Sequence, residues 1–230
     1  MSKQIFFVFF IAMISACSGD KTGENTDSAA TETSHGIPQA TIGESLVLED
    51  LCTIKSEAEL IEKYGKENVT RDTIPAGEGT FYIGTKLFPG TNKQVELSWS
   101  DTVKFEKLLS AMIRTGYDSL HKPFVNNQWK SKTGIRLGTT LLELEQLNGK
   151  PFIIFGFGWD YGGMLQSWDK GKLENAQVFV SLEKPEAWDY KGELGKLYEK
   201  FQGDSQFKTD NADLHKLNPV VMEITVSPGK

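Results

Sequence analysis

The sequence predicts an α+β fold of two related lobes, each a short helix packed on an antiparallel β-meander, behind a cleavable leader and a disordered tether. Three observations carry this. A helix signature recurs at a shift of 84 residues, short apolar or alternating runs bounded by Gly, Pro, Asn and Asp follow each copy, and the 190 residues from Thr41 to Lys230 can bury an ample core. The boundaries read as 1–16 leader, 17–40 tether, 41–116 first lobe, 117–133 connector and 134–230 second lobe, with an insertion at 183–218.

The helix signature is SEAELIEKYGK (Ser56 to Lys66) laid over TLLELEQLNGK (Thr140 to Lys150). Ser56 matches Thr140, Glu59 matches Glu143, Leu60 matches Leu144, Gly65 matches Gly149 and Lys66 matches Lys150. Ser or Thr with Glu three residues later is a capping box, in which each side chain satisfies the other's free backbone amide. A glycine past the end supplies the C-cap. Both segments therefore predict short helices, with apolar stripes of Ala58, Leu60, Ile61 and Tyr64 in one and Leu141, Leu144 and Leu147 in the other. Internal duplication explains the match, since similar segments follow both helices.

After the first helix, Gly79 to Pro89 and Lys93 to Trp99 read as strands around a Pro89 to Asn92 turn. After the second, Phe152 to Phe157, Gly163 to Trp168 and Gln177 to Leu182 read the same way, with turns at Asp160 to Gly162 and Asp169 to Lys172. Alternation in Val95, Leu97 and Trp99, and in Val178, Val180 and Leu182, marks one buried sheet face per half. Ser110 to Thr115 and Val220 to Val226 are the matching final strands, and a further helix is expected from Glu193 to Phe201.

The N-terminus has a different character. Lys3 precedes an unbroken apolar run from Ile5 to Ile14, the layout of a secretory leader and too short to span a bilayer, which needs about 20 apolar residues. Ser18 to Ala40 is polar and nearly free of bulky apolar groups, so it cannot offset its ordering entropy and reads as a tether reaching about 25 to 30 Å. Ile14, Ser15, Ala16 and Cys17 resemble the lipobox of bacterial lipoproteins. That resemblance implies a diacylated Cys17 that becomes the first residue and gains a further acyl chain on its amine. It places the protein in the cell envelope, lipid-anchored and facing the periplasm from the outer membrane. Several acyl chains anchor firmly, because each buried CH₂ contributes about 0.8 kcal/mol. An ordinary leader with a coincidental cysteine is the alternative.

Composition excludes several chemistries. Loss of residues 1–16 removes one base, Lys3, and no acid, leaving 24 basic and 31 acidic residues and a formal charge of −7. This disfavours nucleic acid and suits a basic protein partner, although mild negative charge also serves solubility. With Cys17 acylated, Cys52 has no intrachain partner and reads as a small apolar residue beside Leu51 and Ile54. His35, His121 and His215 are scattered, and Asp204, Asp210, Asn211 and Asp213 lack calcium-loop spacing, so no metal site is expected. Gly156 and Gly158 begin a GxGxxG that Tyr161 breaks, and no other phosphate, nucleophile or zinc motif occurs, so no cofactor is expected.

Gly134 to Phe152 (GIRLGTTLLELEQLNGKPF) resembles the start of the helix in small outer-membrane assembly lipoproteins of the BamE (SmpA/OmlA) type. Tandem helix-plus-meander units also resemble the beta-lactamase inhibitor protein architecture. The chain as a whole resembles bacterial lipoproteins that carry the GFGWDYGG (Gly156 to Gly163) and KLNPVVMEITV (Lys216 to Val226) stretches. The resemblance implies an envelope protein.

The remaining chemical signal is aromatic. Phe152, Phe155, Phe157, Trp159, Tyr161 and Trp168 lie within 17 residues, among glycines and beside Asp160. Three roles fit: a hairpin with glycine bulges, a protein-binding hot spot, or a sugar-stacking surface. The candidate binding surface is Phe157, Trp159, Asp160, Tyr161 and Trp168, on a protein that binds another macromolecule without covalent chemistry. The alternative is an envelope polysaccharide or peptide hydrolase with Asp160 and Glu174 as its acid–base pair.

Overall fold

The computed structural model describes residues 46–117, 123–124, 126, 128–184 and 192–229. The leader, Cys17 and the tether lie outside the described residues.

In chain order, β1 (Leu46–Val47) enters a 3₁₀ turn, Leu48–Thr53, and α1 (Glu57–Tyr64) follows. The Ser56 hydroxyl accepts from the Glu59 amide at 3.2 Å, which starts α1 where its capping pattern predicts. β2 (Val69–Pro75), β3 (Phe81–Leu87), β4 (Val95–Asp101) and β5 (Glu106–Arg114) then form a meander. Two-residue strands β6 (Gly116–Tyr117), β7 (Pro123–Phe124) and β8 (Trp129–Lys130) lead into the second half.

There α2 (Leu141–Asn148) opens on a complete capping box between Thr140 and Glu143. β9 (Ile153–Phe155), β10 (Leu165–Ser167) and β11 (Val178–Glu183) follow. The insertion holds α3 (Glu193–Glu199), β12 (Gln206–Lys208) and α4 (Ala212–Leu217), and β13 (Val220–Val226) is the last strand. α4 emerges from the polar stretch around Asp210 because Asn211 caps it, its side chain accepting from the Asp213 and Leu214 amides.

Helices and antiparallel sheets are both present, so the fold is α+β. A parallel between the two halves recurs in the hydrogen bonds. Ser56 bridges Glu106 as Thr140 bridges Val220. Glu57 N–H donates to Phe105 C=O at 2.9 Å as Leu141 N–H donates to Pro219 C=O at 2.8 Å, and Lys107 N–H meets Lys55 C=O at 2.9 Å as Val221 N–H meets Thr139 C=O at 2.8 Å. Each helix start is thus stitched to the start of its own half's last strand.

The two halves form one compact unit. The halves share one six-stranded sheet in the order β11-β13-β5-β4-β3-β2, joined where Ala111, Met112, Ile113 and Arg114 pair with Val226, Thr225, Ile224 and Glu223. Parting β5 from β13 would expose Ala111, Ile113, Ile224 and Val226, all fully buried, and would bare two strand edges. β9, flanked by β10 and β12, continues the second meander through a Met164–Ser181 bridge. Within the connecting segment β8 pairs with β1, and Trp129, 1% exposed, enters the core while its indole N–H donates to Lys93 C=O.

The two sheet faces follow the period of two along each strand. Thr85, Leu97, Ala111, Val226 and Val178 form one buried row across five strands. The opposite row reads Lys86, Glu96, Met112, Thr225 and Phe179, with Arg114, Glu223 and Ser181 beside it. This second face is polar and partly open, and it positions the site.

Candidate functional site

β9 and β10 are joined by the aromatic turn GFGWDYGGM, Gly156 to Met164. Gly156 sits so close to the 201–203 segment that a Cβ would stand 2.5 Å from Gly203 C=O and 2.6 Å from Phe201 C=O. Gly163, at φ +68°, would place a Cβ 1.8 Å from Leu182 C=O. Only glycine permits both approaches. Between these clamps the turn closes through Gly162 N–H to Trp159 C=O at 2.7 Å and Met164 N–H to Tyr161 C=O at 3.0 Å. The Ser181 hydroxyl donates to Gly162 C=O at 3.1 Å, holding the turn against β11. With its ends pinned, the turn presents Trp159 (65% exposed), Asp160 and Tyr161 (63% exposed) to solvent.

Phe157 and Trp168 are corrections to the candidate surface. Phe157 is fully buried and stacks on Tyr198 with ring centroids 5.0 Å apart. Trp168, 5% exposed, packs on Phe152 and donates its indole N–H to Val178 C=O at 3.3 Å. Both side chains lie on the core side of the backbone that carries the exposed trio. Phe157 therefore anchors the turn, and its Tyr198 partner donates to a Glu183 carboxylate oxygen at 2.7 Å. Burial, and then Glu183, push the Tyr198 hydroxyl well above its ordinary range.

Two cavities flank the exposed trio. The larger, about 630 Å³, lies between the turn and the β2–β3 hairpin and is lined by Tyr82, Met112, Arg114, Asp160, Tyr161 and Glu223 among others. The Arg114 guanidinium, which lines it, pairs with Glu96. Burial holds the Glu223 carboxyl above its ordinary range against the pull of Arg114, and Glu96 adds to the rise. The Tyr82 hydroxyl is raised by burial and then by Glu96. The smaller cavity, about 290 Å³, lies on the other side of the turn between Phe155, Trp159, Tyr161 and Gly203, with Asp160 and Asp204 at its walls. Asp160 and Tyr161 line both.

Glu174 lines neither cavity. Its carboxylate accepts from the Lys170 amide at 3.0 Å and so caps the 169–174 turn. Cys52 is half-buried against the core, and burial, then Glu49, push its thiol up to about 11, which keeps it protonated and unreactive at neutral pH. Among the described residues no group of three or more His, Cys, Asp or Glu could hold a metal ion.

Sequence reasoning missed Tyr82, Met112, Arg114 and Glu223, and weighed Asp204 only as a calcium-loop residue. Arg114 and Glu223 become neighbours only through β5–β13 pairing, which leaves no local signal. Tyr82 could have been found from strand alternation, since it shares a face with Gly84 and Lys86, opposite buried Thr85 and Leu87. No protein-family model, curated protein or solved structure matches this chain.

Proposed function

We propose that this chain is a lipid-anchored protein of the bacterial cell envelope that binds a macromolecular partner through the Trp159–Asp160–Tyr161 turn, without covalent chemistry. One observation carries the binding site: two large aromatic side chains stand exposed on a turn whose ends are clamped by glycine contacts and whose flanks are both concave. Aromatic groups held rigid lose little conformational freedom on binding and commonly dominate interface energetics. The Ile14 to Cys17 stretch supports the anchor. Cleft residues Asp160 and Glu223 outnumber Arg114, whose charge is paired with Glu96, which favours a basic contact surface on the partner.

Two measurements test this. Metabolic palmitate labelling is expected for the native protein and lost in Cys17→Ser, and an unlabelled native protein removes the anchor. A photo-crosslinking residue at position 161 is expected to give a discrete adduct in intact cells, whereas one at Val103, 84% exposed, gives none. Equal adduct patterns at both positions would refute the site.

A further inference from the structure

We propose that the smaller cavity is a cation cage for an ammonium group, either the head of a lysine side chain or a quaternary amine. This names the ligand chemistry of the aromatic turn and rests on the binding role given above. Three aromatic rings, of Phe155, Trp159 and Tyr161, line a space of about 290 Å³ together with two carboxylates, Asp160 and Asp204, and no basic residue lines it. Phe155 and Tyr161 stand 6.3 Å apart between centroids at 45°, and the Trp159 indole nitrogen lies over Gly203, 3.8 Å from where a Cβ would stand. Among the described residues no Lys, Arg or His forms an ion pair with Asp160 or Asp204.

The rings offer electron-rich faces that attract a cation within about 6 Å, Trp most strongly. The carboxylates supply charge at the same site, and among the described residues neither is paired with a cation. An ammonium ion has only donors and positive charge to offer, which matches a lining of three aromatic residues and two carboxylate residues. A sugar would bring hydroxyls that also accept, and the lining side chains offer only the Trp159 N–H and Tyr161 O–H as donors. The volume also sits at the lower end of ligand pockets, about 300 to 1,000 Å³, suiting a side-chain head better than an oligosaccharide. Gly156 and Gly203 line it too, and the carbonyls of Phe201 and Gly203 leave no space for a Cβ at Gly156, so the close approach at the end of β9 that shapes this cavity requires glycine.

The test uses the full mature chain in a non-ionic polyoxyethylene detergent, following the Trp159 indole N–H resonance. Tetramethylammonium, N-acetyl-lysine amide and phosphocholine are titrated against two neutral controls, 3,3-dimethylbutanol and N-acetylglucosamine. Saturable shifts are expected with at least one cation and weaken with added salt. The double variant Asp160→Asn with Asp204→Asn is expected to weaken binding about fivefold or more, and Trp159→Ala, read by calorimetry, by about fivefold or more. These residues are exposed, so the variants keep the native unfolding temperature, which is measured alongside. The lysine and phosphocholine arms distinguish a partner's side chain from a lipid or small-molecule head group, and either response supports the cage. Equal binding of the neutral isostere, saturation by the sugar alone, or no saturable response to any cation overturns it. A position-161 crosslink without a cation response refutes the cage and leaves the partner-binding reading standing.

Discussion

Replacing Gly163 by Ala tests whether the aromatic turn is held by close backbone approach. At φ +68° an Ala is forced into the left-handed region, at about 1 to 2 kcal/mol. Its Cβ would stand 1.8 Å from Leu182 C=O, so the turn and β11 must part. That separation loses the Leu182 N–H to Gly163 C=O bond at 2.9 Å and the Ser181 hydroxyl bond to Gly162 at 3.1 Å, each contributing about 1 kcal/mol. The expected loss is about 3 to 4 kcal/mol. Gly158→Ala is the control: φ is +81°, but the nearest atom to a new Cβ is Gln202 Cγ at 3.9 Å, so only the conformational cost of about 1 to 2 kcal/mol applies. Each kcal/mol moves Tm by about 2 to 4 °C for a domain of this size, so Gly163→Ala should fall by roughly 10 °C and Gly158→Ala by only a few. Urea unfolding followed by tryptophan fluorescence, with the slope checked for constancy, measures both. Equal losses in the two variants would refute the claim that contact with β11 holds the turn.

A buried hydrogen-bond chain yields the second prediction. Trp99 Nε1–H donates to the Thr85 hydroxyl at 2.9 Å, which donates to Glu57 Oε1 at 2.8 Å, while Arg71 holds Glu57 Oε2 and lies over the Phe105 ring. Thr85→Val keeps the shape and leaves a buried donor and a buried carboxylate oxygen unpartnered, so it should cost about 2 to 5 kcal/mol, against about 1 for Thr85→Ser. Equal urea midpoints for the two variants would show that the chain contributes nothing. The third concerns pH. The folded-state pKa of Glu223 is raised, so its ionised form opposes folding above that pKa, and the penalty disappears below the ordinary value of 4.5. Glu223→Gln should therefore raise Tm at pH 7, with the gain fading as pH falls through this window, while Arg114 keeps Glu96 as its partner. A gain that persists at pH 4, or a loss at pH 7, contradicts the assignment.

What the sequence determined by itself is local. The capping pairs Ser56–Glu59 and Thr140–Glu143 set both helix starts, because each signal is complete within four residues. The alternation of Val95, Leu97 and Trp99 and of Val178, Val180 and Leu182 marked the buried strand faces correctly. It was silent on β2, where Thr70, Arg71, Asp72 and Thr73 are exposed between buried Val69 and Ile74, so an edge strand carries no apolar alternation.

Tertiary structure decided the rest. Whether an aromatic in Phe152 to Trp168 points inward depends on what the chain brings up behind it, and Tyr198, far along the sequence, is what buries Phe157. The merging of the two halves into one sheet, and with it the cleft that sets Arg114 beside Glu223, comes from pairing between strands separated by half the chain. Such pairing is selected by the apolar face it covers and the strand edges it closes, and these exist only once both meanders have formed.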